Sequence, residues 1–443
     1  MFVSVDFEKP IRAVKPLHGV NNGPLSCSFL RDASALWHRA GIPYARLHDT
    51  EGAYGAGEYV DIPAVFKCFD ADPEDPASYN FYLTDKYIDA IRATGAKVIY
   101  RLGVSIENGP YKRYIHPPKD YMQWARICEG IIKHYTQGFA DGYDHAVEYF
   151  EIWNEPEFRD HMWTGTDEEF YKLFKDTILY LKKKFPDVKI GGPGNGQTRP
   201  EFTEGFFKYL TTGEKAPLDF YSWHQYFSSL ERVSAVCEDA TAMLERYGYG
   251  GVEQICTEWN LIEDWSNIEV AFEKIGDERG GAFAACALCL MQKQPLDVAT
   301  YYDSRLTTKF NGLYEQGALH RHDGIAGMVP KPSFFSFACY NELYTLGTEV
   351  ASSDTDSDVC VLAATDGHAR AMMIARYDPS SCEEKAVDVE LHTDGSAQRY
   401  TVYRYAKEER TMLAVEQGSL SNDVSTLSLT LSPYDMALIK LAV

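Results

Sequence analysis

Two glutamates stand directly after apolar, β-rich runs of the sequence and are the first residues that indicate a chemistry. Glu155 follows VEYFEIWN and precedes a proline, and Glu258 ends EQICTE. A carboxylate at the end of a buried strand is costly unless it is paired or functional. If two such carboxyls face each other, one can protonate a leaving oxygen while the other attacks carbon. That division of labour is the chemistry of glycoside hydrolysis.

Other polar and aromatic residues also follow β-rich runs, and they are the candidates for holding a substrate. Hydroxyl groups need hydrogen-bonding partners and sugar rings stack on aromatic faces. The candidates are Arg46, His48, Asn154, His224, Tyr226, Trp259 and Tyr302. Trp163 and Trp265, in loops after two of these runs, either line the cleft or anchor their loops.

The elements that position these residues alternate between short strands and longer helices. The strands are predicted at residues 17–21, 43–48, 97–102, 147–154, 188–192, 219–224, 253–258 and 297–302. The helices are predicted at 29–40, 84–94, 120–136, 167–185, 201–210, 230–247, 279–292 and 332–343, with Asp167 as one N-cap and Gly41 as one C-terminal stop. Eight such units predict a (β/α)₈ barrel, whose active site lies where the strands end.

A different pattern begins near residue 347. The remaining sequence alternates with period 2, turns at Asp366-Gly367 and Asp394-Gly395, and has no helical stretch. We therefore predict an α/β fold with a C-terminal antiparallel β-sandwich domain. Its boundaries are 14–346 for the barrel and 347–443 for the sandwich, with residues 1–13 added as an edge strand.

Composition and charge exclude several classes of protein. The 443 residues are 45% hydrophobic and carry a net charge of −22, which disfavours nucleic-acid binding. No apolar run is long enough to span a membrane, and the first residues lack a signal-peptide pattern, so a cytoplasmic location is expected. The ten cysteines are expected to be reduced and mostly buried. A homo-oligomer is left open.

Three motifs in order along the chain resemble the retaining (β/α)₈ glycosidases of clan A. They are E-I-W-N-E-P (151–156), H-Q-Y (224–226) and T-E-W-N (257–260). L-H-G-V-N-N-G-P (17–24), Y-A-R-L-H-D (44–49) and the trailing β-domain make the whole chain most similar to glycoside hydrolase family 39, whose founding activity is β-xylosidase.

The resemblance implies a role for each motif residue. Glu155 is expected to be the general acid/base, Glu258 the nucleophile and Asn154 the partner of the sugar 2-hydroxyl. Tyr226 is expected to donate to Glu258, His224 to bind substrate or tune Glu155, and His48 to bind the terminal sugar. Arg46 is expected either to orient Glu258 or to form an interior salt bridge. One departure is Tyr301-Tyr302, which stands where many members of the clan have a tryptophan. Either tyrosine can stack on a sugar.

The leading interpretation is a retaining exo-glycosidase that cleaves terminal sugars from plant-type oligosaccharides. The alternatives are an α-L-arabinofuranosidase or endo-glycanase on the same scaffold, a catalytically silent carbohydrate-binding protein, and a metal-dependent hydrolase. No cofactor or metal is expected, because His320 with His322 and the acidic run 69–76 are weak ligand sets. We also expect a raised pKa for Glu155 and an ionised Glu258.

Overall fold

The computed structural model describes residues 1–26, 31–50, 59–105, 112–317, 327–353, 358–396 and 398–442. Its strands are β1 (Phe2–Ala13), β2 (Gly19–Asn21), β3 (Leu25–Ser26), β4 (Arg31–Asp32), β5 (Tyr44–Leu47), β6 (Lys97–Leu102), β7 (Tyr149–Ile152), β8 (Lys189–Asn195), β9 (Phe220–Phe227), β10 (Glu253–Leu261), β11 (Val298–Tyr301), β12 (Tyr314–Gln316), β13 (Met328–Pro330), β14 (Thr348–Ser353), β15 (Val359–Thr365), β16 (Arg370–Tyr377), β17 (Lys385–His392), β18 (Gln398–Ala406), β19 (Thr411–Leu420), β20 (Val424–Leu431) and β21 (Tyr434–Ala442).

The helices are α1 (Ser34–Ala40), α2 (Ile62–Val65), α3 (Tyr82–Ala93), α4 (Tyr121–Gln137), α5 (Asp167–Lys184), α6 (Pro200–Thr211), α7 (Glu231–Arg246), α8 (Ile268–Gly276), α9 (Glu278–Lys293) and α10 (Pro332–Leu346). Short 3₁₀ turns cover Pro76–Ser78 and Trp265–Asn267. None of the helices in the described ranges is long and apolar enough to cross a bilayer.

Eight parallel strands close into a barrel, as predicted. Around the barrel the order is β2, β5, β6, β7, β8, β9, β10 and β11, with β11 pairing back to β2. At the end of the barrel away from the site the interior is filled by side chains from six of the eight strands. These are Tyr44, Ile99, Tyr149, Phe220, Ile255 and Val298. Because this layer fills one end of the barrel, the candidate active site is at the opposite end, where the strands finish.

The helix ends follow the local sequence, with one correction. Asp120 caps α4 by accepting from the amides of Met122 and Gln123, and Gly41 ends α1 in the left-handed conformation that favours glycine. Asp167, predicted as the cap of α5, is instead its first residue. The cap is Thr166, which forms a reciprocal capping box with Glu169, and such boxes satisfy two amides at once.

The β-domain is a nine-stranded, mostly antiparallel sheet in the order β19, β18, β21, β16, β15, β14, β1, β17, β20. The sequence predicted an edge position for strand β1, but the structure places β1 inside the sheet. It pairs antiparallel with β14 and parallel with β17, so it joins two parts of the sheet. Buried side chains from one face of all nine strands form a single core, which shows that the sheet curls over itself.

The other face of the central strands packs against the barrel. Met373 and Ala375 of β16 and Leu362 of β15 belong to the same core as Phe283 and Leu288 of α9. Strands β15 and β16 are therefore buried on both faces, and the sheet covers α9 and α10. Of the cysteines in the described ranges, Cys68 and Cys382 are exposed and the others are buried, and none of these forms a disulfide.

Candidate active site

Two carboxyl groups meet at the barrel end where the strands finish. Glu155 lies three residues beyond the end of β7, and Glu258 lies within β10. His224 of β9 stands between them, with its Nδ1 2.9 Å from Glu155 Oε1 and 3.6 Å from Glu258 Oε2. One oxygen of each carboxyl and this nitrogen all lie within 4.8 Å of one another. The sequence-predicted pair is thus brought together.

Glu258 accepts hydrogen bonds at both oxygens. Arg46 Nη1 donates to Oε1 at 2.7 Å, and the Tyr226 hydroxyl donates to Oε2 at 2.8 Å. Arg46 also donates to Glu151 Oε2 and to Asn154 Oδ1, each at 2.7 Å. The sequence predicted either an interior salt bridge or orientation of Glu258 for Arg46. The structure shows both, because the one buried guanidinium pairs with Glu151 and also holds the Glu258 carboxylate.

Burial raises the pKa of both members of the pair. The pKa of Glu155 is raised to about 7, against the opposing effect of Arg46. The pKa of Glu258 is also raised to about 7, because burial and the charge of Glu155 outweigh His224 and Arg46. The sequence-based expectation described Glu155 correctly but not Glu258, whose burial it left out.

The backbone around Glu155 is held in an uncommon conformation. Trp153 has φ +75° and Glu155 has φ +41°, in the region that residues with a side chain seldom adopt. The amide of Trp153 donates to Leu102 O at 2.7 Å, and the amide of Glu155 donates to Gly194 O at 2.8 Å. Bonds to both neighbouring strands thus impose the turn that aims Glu155, and such strain is frequent at functional sites.

Asn154 Nδ2 and His224 Nε2 are among the buried polar atoms beside the pair that have no hydrogen-bond partner in the described structure. Buried polar atoms are nearly always paired, so unpaired ones at a cleft indicate groups that a ligand completes. Asn154 thus presents a free donor beside Glu258, as a partner of a sugar hydroxyl must.

A second group of side chains forms a wall beside the pair. His48 Nε2 lies 3.3 Å from Asp49 Oδ1 and 3.8 Å from Glu258 Oε1. The Tyr302 hydroxyl donates to Asp49 Oδ2 at 2.6 Å, and Arg305 Nη1 donates to Asp49 O at 2.7 Å. The wall joins the segment after β5 to the segment after β11. These strands flank β2 in the barrel.

The tryptophans separate into three different environments. Trp259 is fully buried and packs against Tyr301 and Phe337, outside the barrel mouth. Trp163 is also buried, and its Nε1 donates to Thr166 O at 2.9 Å, which is the loop-anchoring role. Trp265 is 55% exposed and contacts the Tyr226 ring edge to face at 5.1 Å. Only Trp265 of the three borders the open site.

Several site residues were not singled out from the sequence. Asn21, Asp49, Arg101, Glu151, Glu157, Asp303 and Arg305 are all buried at or near the pair. Asn21, Asp49, Arg101 and Asp303 occupy the same strand-end positions that identified the others, so that signal could have found them. Glu157 and Arg305 lie in loops, and no pattern distinguishes them.

Glu155, His224 and Glu258 are close enough together to hold a metal ion, but their surroundings disfavour one. Arg46 already places a positive charge 2.7 Å from Glu258. His320 and His322 lie outside the described residues. The charge of Arg46 therefore disfavours a metal ion between these three described residues.

Comparison with known proteins gives a family match. Residues 54–276, about half of the chain, match the family model described as Glycosyl hydrolases family 39. The β-xylosidase of Caldicellulosiruptor saccharolyticus is 26% identical over 336 residues, which are 70% of this chain and 66% of that protein. The β-xylosidase of Geobacillus stearothermophilus is 22% identical over 383 residues, 79% of this chain and 70% of that protein. The chain thus spans about two thirds of the length of these relatives.

Solved structures share the fold. A glucosidase from Croceicoccus marinus superimposes with a TM-score of 0.79 at 21% identity, covering 100% of this chain and 99% of that one. A monomeric β-xylosidase from Caulobacter crescentus gives a TM-score of 0.71 at 16% identity, with the same coverage. At these identities the likeness concerns architecture.

Proposed function

Because the chain belongs to family 39 of the glycosyl hydrolases, we propose that it is a retaining exo-glycosidase of the β-xylosidase type. Its substrates would be glycosides or plant-type oligosaccharides, from which it releases terminal sugars. The observation that carries the proposal is the close approach of Glu155 and Glu258, which offer atoms within 4.8 Å of each other. Retaining enzymes hold their carboxyls about 5–5.5 Å apart, whereas inverting enzymes need about 6.5–9.5 Å for a water.

In the first step Glu258 is the nucleophile and Glu155 the acid. A Glu258 carboxylate oxygen attacks the anomeric carbon, the glycosidic C–O bond breaks, and the Glu155 proton passes to the departing oxygen. Arg46 and Tyr226 hold the Glu258 carboxylate by one hydrogen bond to each oxygen, which fixes the attacking lone pair. Because the pKa of both carboxyls is raised, the pair retains a proton near neutral pH, and the donors Arg46 and Tyr226 favour the charged form of Glu258, which leaves that proton on Glu155.

In the second step Glu155 is the base. It takes a proton from water, the water oxygen bonds to the anomeric carbon, and the ester to Glu258 breaks, which restores both carboxyls. Loss of the Glu258 charge in the ester lowers the proton affinity of Glu155, as a base requires. Glu155 suits this role because its side chain is 18% exposed, against 5% for Glu258, so water reaches it.

The remaining site residues bind the terminal sugar. Asn154 Nδ2 would donate to the 2-hydroxyl, an interaction that strengthens in the transition state. Tyr302 would face the sugar ring, and His224 would bind substrate or tune Glu155. Exo action is supported by Arg305 and Asp49, which join the segments after β5 and β11 on one side of the mouth. Such a bridge closes one end of a cleft.

The sugar is inferred from the two curated relatives, both named β-xylosidase. The alternatives are an α-L-arabinofuranosidase or an endo-glycanase, because subsite walls rather than the carboxyl pair distinguish these activities. A panel of nitrophenyl β-xyloside, α-L-arabinofuranoside, β-glucoside, β-galactoside and fucoside separates them. We expect the highest kcat/KM on the xyloside, and proton NMR should show the β-anomer of xylose as the first product.

Two variants test the assigned roles. Glu258→Ala should abolish turnover, and azide should restore it with a glycosyl azide of inverted configuration. Glu155→Ala should keep activity on activated aryl glycosides and lose it on poor leaving groups, because a good leaving group needs little protonation. Glu253→Gln is the matched control, since it lies on the same strand as Glu258 at the opposite end of the barrel.

The outcomes that contradict the proposal are distinct. Retained product from azide rescue of the Glu258 variant would reverse the roles of the two glutamates. Inverted first product from the unaltered enzyme would overturn the double displacement. Sugar binding without turnover of any glycoside would identify a silent binding protein.

A further inference from the structure

Arg101, near the end of β6, contacts His48 at Nδ1, the ring nitrogen opposite the one that lies near Glu258. The two residues follow adjacent barrel strands, because β5 pairs with β6. Arg101 is fully buried, its Nε donates to His48 Nδ1 at 3.3 Å, and its Nη2 donates to His48 O at 2.9 Å. Both the ring and the backbone of His48 are thereby held by one guanidinium.

The contact determines which ring nitrogen of His48 carries the proton. A guanidinium has only donors, so the nitrogen that it contacts must be the acceptor. Burial, Arg46 and Arg101 hold the pKa of His48 well below its usual value, so the ring is neutral. A neutral ring with an accepting Nδ1 has its single N–H at Nε2.

The opposite side of the ring offers acceptors for that N–H. His48 Nε2 lies 3.3 Å from Asp49 Oδ1 and 3.8 Å from Glu258 Oε1. The other tautomer would place two N–H groups against each other at Arg101 and leave Nε2 facing two carboxylates without a proton. The arrangement on both sides of the ring therefore favours the same tautomer.

Arg101 is itself fixed by a second buried carboxylate. Its Nη2 donates to Asp61 Oδ1 at 2.5 Å. Ser105 donates from its amide to Asp61 Oδ2 at 2.9 Å, and its hydroxyl lies 2.8 Å from His48 O. This network holds Arg101 in one position, because moving the guanidinium away would leave the buried Asp61 carboxylate without its charged partner.

We propose that Arg101 is a positioning residue that locks His48 in the Nε2–H tautomer, so that this N–H faces Glu258 and a hydroxyl oxygen of the bound sugar. The inference rests on the proposed function for its kinetic consequence, but not for the tautomer itself. The sugar oxygen that His48 contacts must then act as a hydrogen-bond acceptor. Arg101 influences the reaction only through His48.

The tautomer is measured directly by nitrogen NMR of the full chain labelled at histidine, with His48 assigned by its absence in His48→Gln. We expect an imine-type Nδ1 and a pyrrole-type Nε2 in the unaltered protein. In Arg101→Lys, which keeps the charge opposite Asp61 but loses the planar fork, the Nδ1–H form should appear. The signals of His134, a buried histidine with its own partners, should not change.

Kinetics with nitrophenyl xyloside provide the second readout. Arg101→Lys should lower kcat/KM by about 10- to 100-fold, the usual effect of removing a residue that orients a site histidine. The double variant Arg101→Lys/His48→Gln should lose no more than His48→Gln alone, because both act through one ring. A merely structural role for Arg101 would instead multiply the two losses.

The proposal fails if the unaltered protein shows Nδ1–H at His48, if Arg101→Lys leaves the tautomer unchanged, or if the kinetic losses multiply. If Arg101→Lys does not fold, the spectrum of the unaltered protein decides alone. If the unaltered protein cleaves no glycoside, the proposed function fails while the tautomer measurement still stands.

Discussion

At the scale of single residues, one further buried glutamate, Glu157, lies beside Glu155 of the catalytic pair. A Cβ on Gly196 would stand 3.1 Å from Glu155 Oε1 and 3.3 Å from Glu157 Oε1, so the glycine leaves room for both. Glu157 is 1% exposed, and the backbone amides of Gln197 and Thr198 lie close enough to its carboxyl to favour the charged form. Burial, and then the charge of Glu155, raises its pKa to about 8.

Glu157→Gln should stabilise the protein, and more so as the pH rises. Between pH 4.5, the ordinary pKa of the side chain, and pH 8 the folded state holds a proton that the unfolded state has released. Stability is therefore lost as pH rises through this window, by about 1.4 kcal/mol for each unit of pKa difference. Glutamine has no proton to lose. Chemical denaturation at pH 5, 6.5 and 8 measures the difference.

The control for this prediction is Glu214→Gln, since Glu214 is exposed after α6. Its stability should follow that of the unaltered protein at all three values. A Glu157→Gln variant whose advantage stays constant or shrinks between pH 5 and pH 8 would show that Glu157 is ionised in the folded state.

Tyr226→Phe should weaken the nucleophile without disturbing the fold. Glu258 would lose the hydroxyl 2.8 Å from Oε2, and a hydrogen bond to a charged group contributes about 1.5–3 kcal/mol. We expect kcat/KM to fall by about 10- to 100-fold. The acidic limb of the pH profile should move to higher pH, because the Glu258 anion has lost a donor.

The control for the tyrosine is Tyr301→Phe, which removes a hydroxyl from a neighbouring tyrosine that packs against Trp259 in the core. The Tyr301→Phe variant should keep the acidic limb of the pH profile of kcat/KM at its original pH. An acidic limb unmoved in Tyr226→Phe would mean that Tyr226 does not stabilise the charged form of Glu258.

At the scale of elements, the capping box of α5 fixes the helix that follows the loop carrying Glu155. Thr166→Ala should lower the free energy of unfolding by about 1 kcal/mol, because the Glu169 amide loses its acceptor. Denaturant titration measures this loss, and kcat should not change. Glu169→Gln retains a capping-box residue and should cost less than Thr166→Ala. Equal stability of Thr166→Ala and the unaltered protein would contradict the role of the box.

Most strands and helices of the barrel were predictable from the sequence because apolar runs with a clear period mark them. All eight barrel strands lie where the apolar runs predicted them. The place of β1 was not predictable, because period 2 is the same for an edge strand and for one paired on both sides. Only the register of β1 with β14 and β17 distinguishes the two.

The site was predictable where one strand end supplied the residue, and not where orientation or distance decided. Adjacent residues of a strand point to opposite faces, so Trp259, next to Glu258, faces the helices rather than the cleft. Trp163 was ambiguous because nothing in a loop sequence fixes which way an indole turns. Arg305 joins Asp49 across 256 positions of the chain, a distance over which local patterns carry no information.

At the scale of the whole molecule, the sheet and the barrel share a core. Tyr377 of β16 packs against Phe283 of α9 edge to face at 5.2 Å, and its hydroxyl donates to Glu263 Oε1 at 2.8 Å. Glu263 comes two residues after β10, the strand of Glu258. We propose that the sheet, with residues 1–13 and 347–443, is a structural domain that supports this side of the barrel.

The two parts should therefore unfold as one unit. Calorimetry of the unaltered protein should show one transition, because separating the sheet would expose the apolar surface of α9 and α10. Tyr377→Ala, which removes a buried ring from the shared core, should lower the stability of that single transition by about 3–5 kcal/mol. Val415→Ala, on an exposed site of β19, should change it by less than about 0.5 kcal/mol. Two transitions, of which Tyr377→Ala shifts only one, would show that the sheet folds independently and that its contact with the barrel does not support the site.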